Sequence, residues 1–415
     1  MLRKSIEQRP NWVDRVVNRG LQYYEVDGQP YWNEGTYYQF TAKEIDEIEA
    51  ATQELHGMCL QAVQYVIDHN LFDKFAIPPE FVPYIKQSWD QRHPYIFGRF
   101  DLSYDGKSPP KMLEYNADTP TSLPEAAVIQ WDWLEDNRHK INPKIPAEHI
   151  DQFNSIHEAL IKAWAEVKKE VSNRTNQLFT KSNPLYLTGA LDTENEEPLA
   201  PEDYQNIQYM RDVCEQAGIA TETIPIGNIG WNGTHFVDSQ NLPIRAFFKL
   251  HPWEHLVKNE FGKYLFENKV GVIEAPWKMI LSNKALLPVL WEMFPNHSNL
   301  LPAYFEPNKI DGAYVKKPLL SREGANVEII TPTGTIKTDG EYGKEGYIYQ
   351  AFHSLPNFGG NYPVIGSWVT SNRPDIKSGL TQFDRGGTAC GIGIREDVSP
   401  ITANNSRFVP HCFYG

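Results

Sequence analysis

The sequence predicts a mixed α/β protein, and three patterns carry that prediction. A compact strand–helix–strand unit is written between Leu185 and Ile226, helical hydrophobic spacing dominates residues 1–98, and short strands outnumber helices from Pro252 onward. The 415 residues suffice for two or three domains with ample core. The expected division is a helical N-terminal region over 1–183 carrying a hairpin at 99–124, a βαβ domain over 184–250, and a strand-rich region over 251–415.

In the first region Thr41 and Glu44 form a capping-box pattern, and Ile45, Ile48, Leu55, Met58 and Ala62 recur at helical spacing through Val66. Tyr23, Tyr24, Tyr31, Trp32, Tyr37 and Tyr38 read as packing residues. Arg99–Glu125 has the form of a hairpin. Arg99, Asp101 and Ser103 alternate with Phe100 and Leu102, Asp105–Pro110 is turn-rich, and Met112, Glu114 and Asn116 then alternate against Leu113 and Tyr115. Ser122 and Glu125 suggest a second capping box, opening a helix to about Glu135 whose free N–H groups face an anion. Phe153 to Val171 reads as an amphipathic helix and Ser172–Asn183 as a linker.

The βαβ unit takes strands at Leu185–Thr188 and Ala220–Ile226 around a helix at Glu202–Gln216. It lacks GxGxxG, so no dinucleotide site is indicated. Asn232-Gly233 marks a tight turn before a strand at Ala246–Lys249. Farther on, Ser282 is expected to cap a short helix containing Lys284, with Pro288 kinking it or setting its start. Strands follow at Ala313–Pro318, Tyr347–Phe352, Val364–Thr370 and Gly391–Arg395, with a hairpin over Val327–Ile336.

Composition excludes several classes. A net charge of −14 disfavours non-specific nucleic-acid binding and makes local basic clusters informative. A mean hydropathy of −0.50 argues against membrane spans. The N-terminus has no apolar signal segment, and Cys59, Cys214, Cys390 and Cys412 are scattered without CxxC, so a cytoplasmic protein with free thiols is expected.

The chemistry-bearing residues concentrate in the hairpin. If its two polar faces coincide, Asp101, Glu114 and Asn116 offer oxygen ligands suited to Mg²⁺, and Arg99 offers a planar fork for phosphate oxygens. The same residues would also suit ordinary cross-strand charge pairs. Lys284 and Lys317, with the small-residue loop Arg322-Glu323-Gly324-Ala325, form a second set of phosphate partners, although GxxxxGK[ST] is absent. Tyr349-Gln350-Ala351-Phe352, a strand edge that breaks at Leu355-Pro356, reads either as an adenine slot or as an ordinary buried strand. Arg395 ends a Gly-rich strand and either faces a ligand or pairs with Glu396 or Asp397. His251 and His255 mimic a metal pair without the HExxH order, and a structural role is expected.

Three runs, FGRFDLSYDGKSPPKMLEYNADTPTS, YVKKPLLSREGANV and GIGIRED followed by IT, resemble the synthetase part of glutathionylspermidine synthase and its stand-alone bacterial relatives, the acid–amine ligases. The resemblance covers about Trp12 to Phe413 and implies an ATP-grasp fold with a βαβ pre-ATP-grasp domain. It further implies ATP as co-substrate and Mg²⁺, in two ions, at Asp101, Glu114 and Asn116. Arg99 would contact the transferred phosphoryl group, with Phe100 and Asp101 beside the nucleotide. Lys284 and Lys317 would hold ATP phosphates under Glu323-Gly324, Tyr349–Phe352 would line the adenine slot with Ile401 near it, and Arg395 would steady the acyl substrate or its phosphate. Thr119 falls where the family has a serine contacting a thiol tripeptide, and Glu202 and Asp203 fall near its acidic polyamine contacts. The expected partners are a small acid, such as a glutathione-like peptide, and an amine, such as a polyamine, with no nucleic acid and no membrane. Thr119, Leu250 in place of a threonine, and the lack of an N-terminal amidase domain depart from the bifunctional enzymes. A phosphotransferase using the same nucleotide site, a non-catalytic nucleotide-binding protein and a paired-carboxylate hydrolase remain the alternative readings.

Overall fold

The computed structural model describes residues 1–26, 28–174, 179–194, 197–267, 270–371, 386–403 and 406–415. The linker expected at 172–183 falls partly outside these residues, but Phe179 is buried.

The hairpin strands Phe97–Ser103 and Lys111–Asn116 form one edge of a five-stranded antiparallel sheet. It continues through Tyr362–Thr370 and Thr388–Asp397 to Arg407–Val409. A second five-stranded antiparallel sheet runs Ala303–Tyr304, Tyr347–Ala351, Tyr314–Pro318, Glu328–Thr331, Gly334–Lys337. The βαβ unit opens a four-stranded parallel sheet, ordered Thr221–Pro225, Leu185–Gly189, Ala246–Leu250, Gly271–Ile273. Parallel strands need a crossover, and helix Pro201–Gln216 supplies it.

The expected divisions at 183 and 250 do not follow these pairings. The parallel sheet continues to Ile273, and Phe97–Ser103 pairs directly with Tyr362–Thr370. Strand Phe97–Ser103, with Phe100 and Leu102 fully buried, thus takes one hydrogen-bonded neighbour from its own hairpin and the other from far along the chain.

Helix Ala42–Asp68 begins at a complete Thr41–Glu44 capping box and buries Ile45, Ile48, Leu55, Met58, Ala62 and Val66. It packs on Tyr362–Thr370 and Thr388–Asp397, where Thr52 and Ser367 hydroxyls meet at 2.7 Å. Tyr23, Tyr31, Trp32, Tyr37 and Tyr38 are core, as their texture suggests, while Tyr24 is half-buried.

The second expected box does not form. Glu125 is buried and its Oε1 accepts from the Tyr23 and Tyr31 hydroxyls, both at 2.7 Å, so it cannot fold back on Ser122. The chain instead enters a π-helical turn over Glu125–Ile129 and continues as α-helix over Gln130–Ile141, past the expected end. Nor is the Leu123 N–H free for an anion, because it donates to Asn206 Oδ1 at 3.2 Å. Ser282 likewise opens no helix: it closes Lys278–Leu281, its N–H donating to the Lys278 carbonyl at 2.9 Å. Lys284 lies in the connector before helix Leu286–Met293, where Asn283 Oδ1 accepts from the Ala285 N–H at 2.9 Å. Pro288 sits in that helix's first turn, where its missing N–H costs no hydrogen bond. Among the described residues no helix is long and apolar enough to cross a membrane.

Candidate active site

The two five-stranded sheets face each other across a cavity of about 310 Å³. Its first wall is the hairpin. Arg99 pairs with Asn116 and Asp101 with Glu114, so the expected coincidence of polar faces is met. Asp101 Oδ1 accepts from Arg99 Nε at 2.9 Å, and the Asn116 amide bridges Asp101 Oδ2 at 3.3 Å and Glu114 Oε1 at 3.1 Å.

The alternation does not persist through the second strand. The register shifts between Asp101 and Leu102, so that Leu102 pairs with Met112 and Leu113 is the extra residue of a bulge. Met112 is therefore turned into the core, while Leu113 and Glu114 both line the cavity. On the hairpin's far side Phe100 stacks on Tyr115 with centroids 3.9 Å apart. The Phe100 ring thus points away from the cavity, and Phe100 is not among the residues that line it.

Two lysines reach the hairpin from elsewhere. Lys284 Nζ stands 3.1 Å from Glu114 Oε2 and also donates to the Ser321 carbonyl. Lys317 Nζ donates to the Leu113 carbonyl at 2.9 Å and to Gln350 Oε1 at 2.7 Å. These charges set the titration of the site. Burial alone would raise the Glu114 carboxyl, but Lys284 and Lys317 outweigh it and bring it down to about 2. Burial pushes Lys317 down to about 8 against the pull of Glu114. Arg99 keeps a raised pKa despite its burial because Asp101 and Glu114 lie close.

Arg99 is further fixed by Thr121, whose carbonyl accepts from Nη1 at 2.6 Å, and by the Trp368 ring 5.7 Å below its guanidinium. Its aliphatic stem lies over Gly366, where an added Cβ would come within 2.8 Å of Arg99 Cδ.

Within the cavity lining Val315, Val327, Ile329, Phe352 and Ile401 pack into a small apolar cluster. Gln350, Ala351 and Phe352 line the cavity, but Tyr349 does not, since its ring turns to the other face against Tyr314. The segment is also not a free edge. It runs between Ala303–Tyr304 and Tyr314–Pro318, and the Ala351 and Phe352 amides already donate to Pro302 and Ala313 carbonyls. Glu323 and Gly324 both have positive φ, and a Cβ at Gly324 would lie 2.5 Å from the Thr402 carbonyl oxygen, so glycine lets this loop close on Ile401–Thr402.

Asp203 and Glu323 also line the cavity, and Glu202, in the first turn of Pro201–Gln216, stands near both. Burial, then Glu202 and Glu323, raise Asp203 to about 7. Arg395 also lines the cavity and donates to the Ala403 carbonyl at 3.0 Å. Glu396 is engaged instead by Arg3, Arg407 and Tyr38.

Arg322 was given no role in the sequence reading, although it stands beside Glu323 and Gly324. Its guanidinium lines the cavity, donates to Thr119 Oγ1 at 3.1 Å and holds Glu254 Oε1 at 2.6 Å. Glu254, 68 residues away in sequence, gave no local signal. Behind Thr119 lies a buried Asp118–Lys249 pair that also accepts the Trp253 N–H at 2.9 Å, tying the hairpin's exit to the end of strand Ala246–Leu250. His251 and His255 lie 5.6 Å apart, and burial holds His251 down at about 4. Among the described residues no group of three or more His, Cys, Asp or Glu is placed to hold a metal. The hairpin itself offers a cation two carboxylates and one amide. That donor set suits Mg²⁺, which keeps waters and takes substrate phosphate oxygens to complete its shell. The Asn116 amide, already between both carboxylates, presents its oxygen there on a half-turn.

The family model described as glutathionylspermidine synthase preATP-grasp matches residues 3–414, and the chain belongs to that family. A Haemophilus influenzae protein named "Putative acid--amine ligase" is 40% identical over 98% of this chain and 97% of its own. The Escherichia coli bifunctional glutathionylspermidine synthetase/amidase is 29% identical over 96% of this chain, which spans 63% of that enzyme. Trypanothione synthetase of Crithidia fasciculata is 28% identical, and the chain spans 57% of it. By these names the family is one of carbon–nitrogen ligases. In fold alone, the chain is like a glutathione synthetase-like effector of Globodera pallida, with a TM-score of 0.54 at 12% identity over 98% of this chain and 99% of that one.

Proposed function

We propose that this chain is an ATP- and Mg²⁺-dependent ligase of ATP-grasp type that joins a carboxylate to an amine through an acyl phosphate. The observation that carries the reading is the meeting of Asp101, Glu114 and Asn116 with Lys284 and Lys317 in one cavity whose lining also holds an apolar cluster and the carboxylates of Asp203 and Glu323.

A carboxylate is a poor electrophile, so its oxygen must first become a good leaving group. Transfer of the γ-phosphoryl group to the acid gives ADP and an acyl phosphate. The amine nitrogen then attacks the carbonyl carbon, forming the amide and releasing phosphate and a proton. Such chemistry needs positioning and charge neutralisation rather than a covalent enzyme intermediate. In this reading the apolar cluster around Ile401 receives the adenine, Glu323-Gly324 close over the phosphates, and Lys284 and Lys317 neutralise them. Arg99 faces the transferred phosphoryl group, while Arg395 and Thr119 hold the acid. Bound at Asp101, Glu114 and Asn116, Mg²⁺ would supply further neutralisation of phosphate charge. Glu202, Asp203 and Glu323 would hold a cationic amine, polyamines included.

The test is a panel of acids and amines incubated with ATP and followed by mass spectrometry. The reading expects ADP, phosphate and a product lighter by one water than acid plus amine. A stable phosphorylated product without amine would overturn it in favour of a phosphotransferase. Nucleotide binding without turnover across the panel would overturn it in favour of a binding protein.

A further inference from the structure

Residues 117–122 connect the hairpin to the next helix and lie outside strand and helix themselves. Two cavity arginines end on them. The Thr121 carbonyl accepts from Arg99 Nη1 at 2.6 Å, and Thr119 Oγ1 accepts from Arg322 Nη1 at 3.1 Å. A loop can orient two guanidinium groups only if it is itself held in place. Just past its far end the Leu123 N–H donates to Asn206 Oδ1 at 3.2 Å, and Asn206 Nδ2 donates to the Glu202 carbonyl at 2.9 Å. Its near end is fastened by one side chain. Asp118 Oδ1 accepts from Lys249 Nζ, and Asp118 Oδ2 accepts from the Trp253 N–H at 2.9 Å. Lys249 Nζ also donates to the His251 carbonyl at 3.1 Å and stands 4.8 Å from the centre of the Trp253 ring. Asp118, Lys249 and Trp253 are fully buried, and neither Asp118 nor Lys249 is among the residues that line the cavity.

Stability alone does not explain an ion pair buried this deeply, because well-packed apolar residues often replace such pairs at no cost. Apolar residues could not tie Asp118 by both carboxylate oxygens to strand Ala246–Leu250 and to the first residue of helix Trp253–Leu256. We propose that Asp118 and Lys249 are positioning residues for the reaction: through Thr119 and Thr121 they keep the Arg322 and Arg99 guanidinium groups aimed into the cavity. The proposal rests on the ligase reading, in which Arg99 faces the transferred phosphoryl group. Asp101 meets Arg99 at Nε, and the Thr121 carbonyl fixes the other side of the fork. The nucleotide's partners in that reading, Lys284, Lys317 and Ile401, sit on other parts of the chain. Loosening residues 117–122 therefore slows the chemical step and spares nucleotide binding.

The test is the full chain carrying Asp118→Asn/Lys249→Met, which removes the pair without stranding a charge in the interior. Asp118→Asn alone is measured beside it, since it keeps an oxygen for the Trp253 N–H and serves where the double variant fails to fold. With the acid and amine that support turnover in wild type, kcat should fall by about 10²-fold, the scale of a displacement of about 1 Å, while KM for Mg-ATP stays within about twofold. A crystal structure of the same variant should show Thr121 out of hydrogen-bond reach of Arg99 and Thr119 out of reach of Arg322. A kcat near wild type, a KM that rises in step with the loss of kcat, both contacts unchanged in the variant crystal, or failure of both variants to fold would each overturn the proposal. Absence of turnover in wild type would count against the ligase reading, and the crystal comparison would still decide whether Asp118 and Lys249 hold the two arginines.

Discussion

Asp101 answers to two neighbours at once: Arg99 on its own strand and Asn116 on the next. It is half-buried on the cavity wall and not part of a packed core, so Asp101→Ala should leave the melting transition nearly unchanged. Loss of one such electrostatic contact costs about 3–4 kcal/mol in comparable sites, so Mg-dependent ATP turnover should fall by about 10²–10³-fold. Turnover within a few-fold of wild type in a folded variant would contradict the role given to this residue. Asp203 supplies a pH-dependent counterpart. With its carboxyl raised to about 7, it gains its charge as pH rises through neutrality, so a cationic amine should bind more tightly at pH 8 than at pH 6. Asp203→Asn should flatten that dependence. The stability sign is opposite. The folded state holds this proton more tightly than the unfolded chain, so the group's contribution is present near pH 4 and lost as pH climbs to about 7. Denaturant midpoints across that window, compared between wild type and Asp203→Asn, check it.

At the scale of elements, period-two spacing made the hairpin legible, and with it the meeting of Arg99, Asp101, Glu114 and Asn116. The bulge at Leu113 was not legible, because nothing in Lys-Met-Leu-Glu distinguishes a bulge from an even strand. It is the bulge that sends Met112 inward while keeping Glu114 on the cavity. The two capping boxes divide for a similar reason. Thr41 is exposed and Glu44 Oε2 accepts from its N–H at 2.8 Å, whereas Glu125 is claimed by Tyr23 and Tyr31, about a hundred residues upstream. Thr41→Ala should therefore lower stability by about 1 kcal/mol in chemical denaturation, and an unchanged midpoint would show that the box does not hold that helix end. Tyr349 misled by the same route, since a strand's polar ring can face either sheet surface and only its partner Tyr314 decides. Arg322 was readable as a loop arginine; its partner Glu254 was not.

For the molecule as a whole, the core is assembled from distant segments. Phe97–Ser103 lies against Tyr362–Thr370, Arg3 holds Glu396, and His411–Tyr414 pairs with Thr36–Thr41. A chain ending at residue 250 would lose the strand beside Phe97–Ser103 together with one of the two partners of Thr36–Thr41, and should show no cooperative thermal transition. A sharp transition in that fragment would mean the N-terminal part folds alone. The same arrangement means that the cavity exists only when both five-stranded sheets are in place, with cationic groups from one side meeting the carboxylates of the other. The most direct measurement is a crystal structure of the full chain with Mg²⁺ and a non-hydrolysable ATP analogue. The account predicts metal density bounded by Asp101, Glu114 and Asn116, with the triphosphate running between Lys284 and Lys317 and the adenine against Ile401. A nucleotide seated elsewhere, or metal density away from those three side chains, would contradict it.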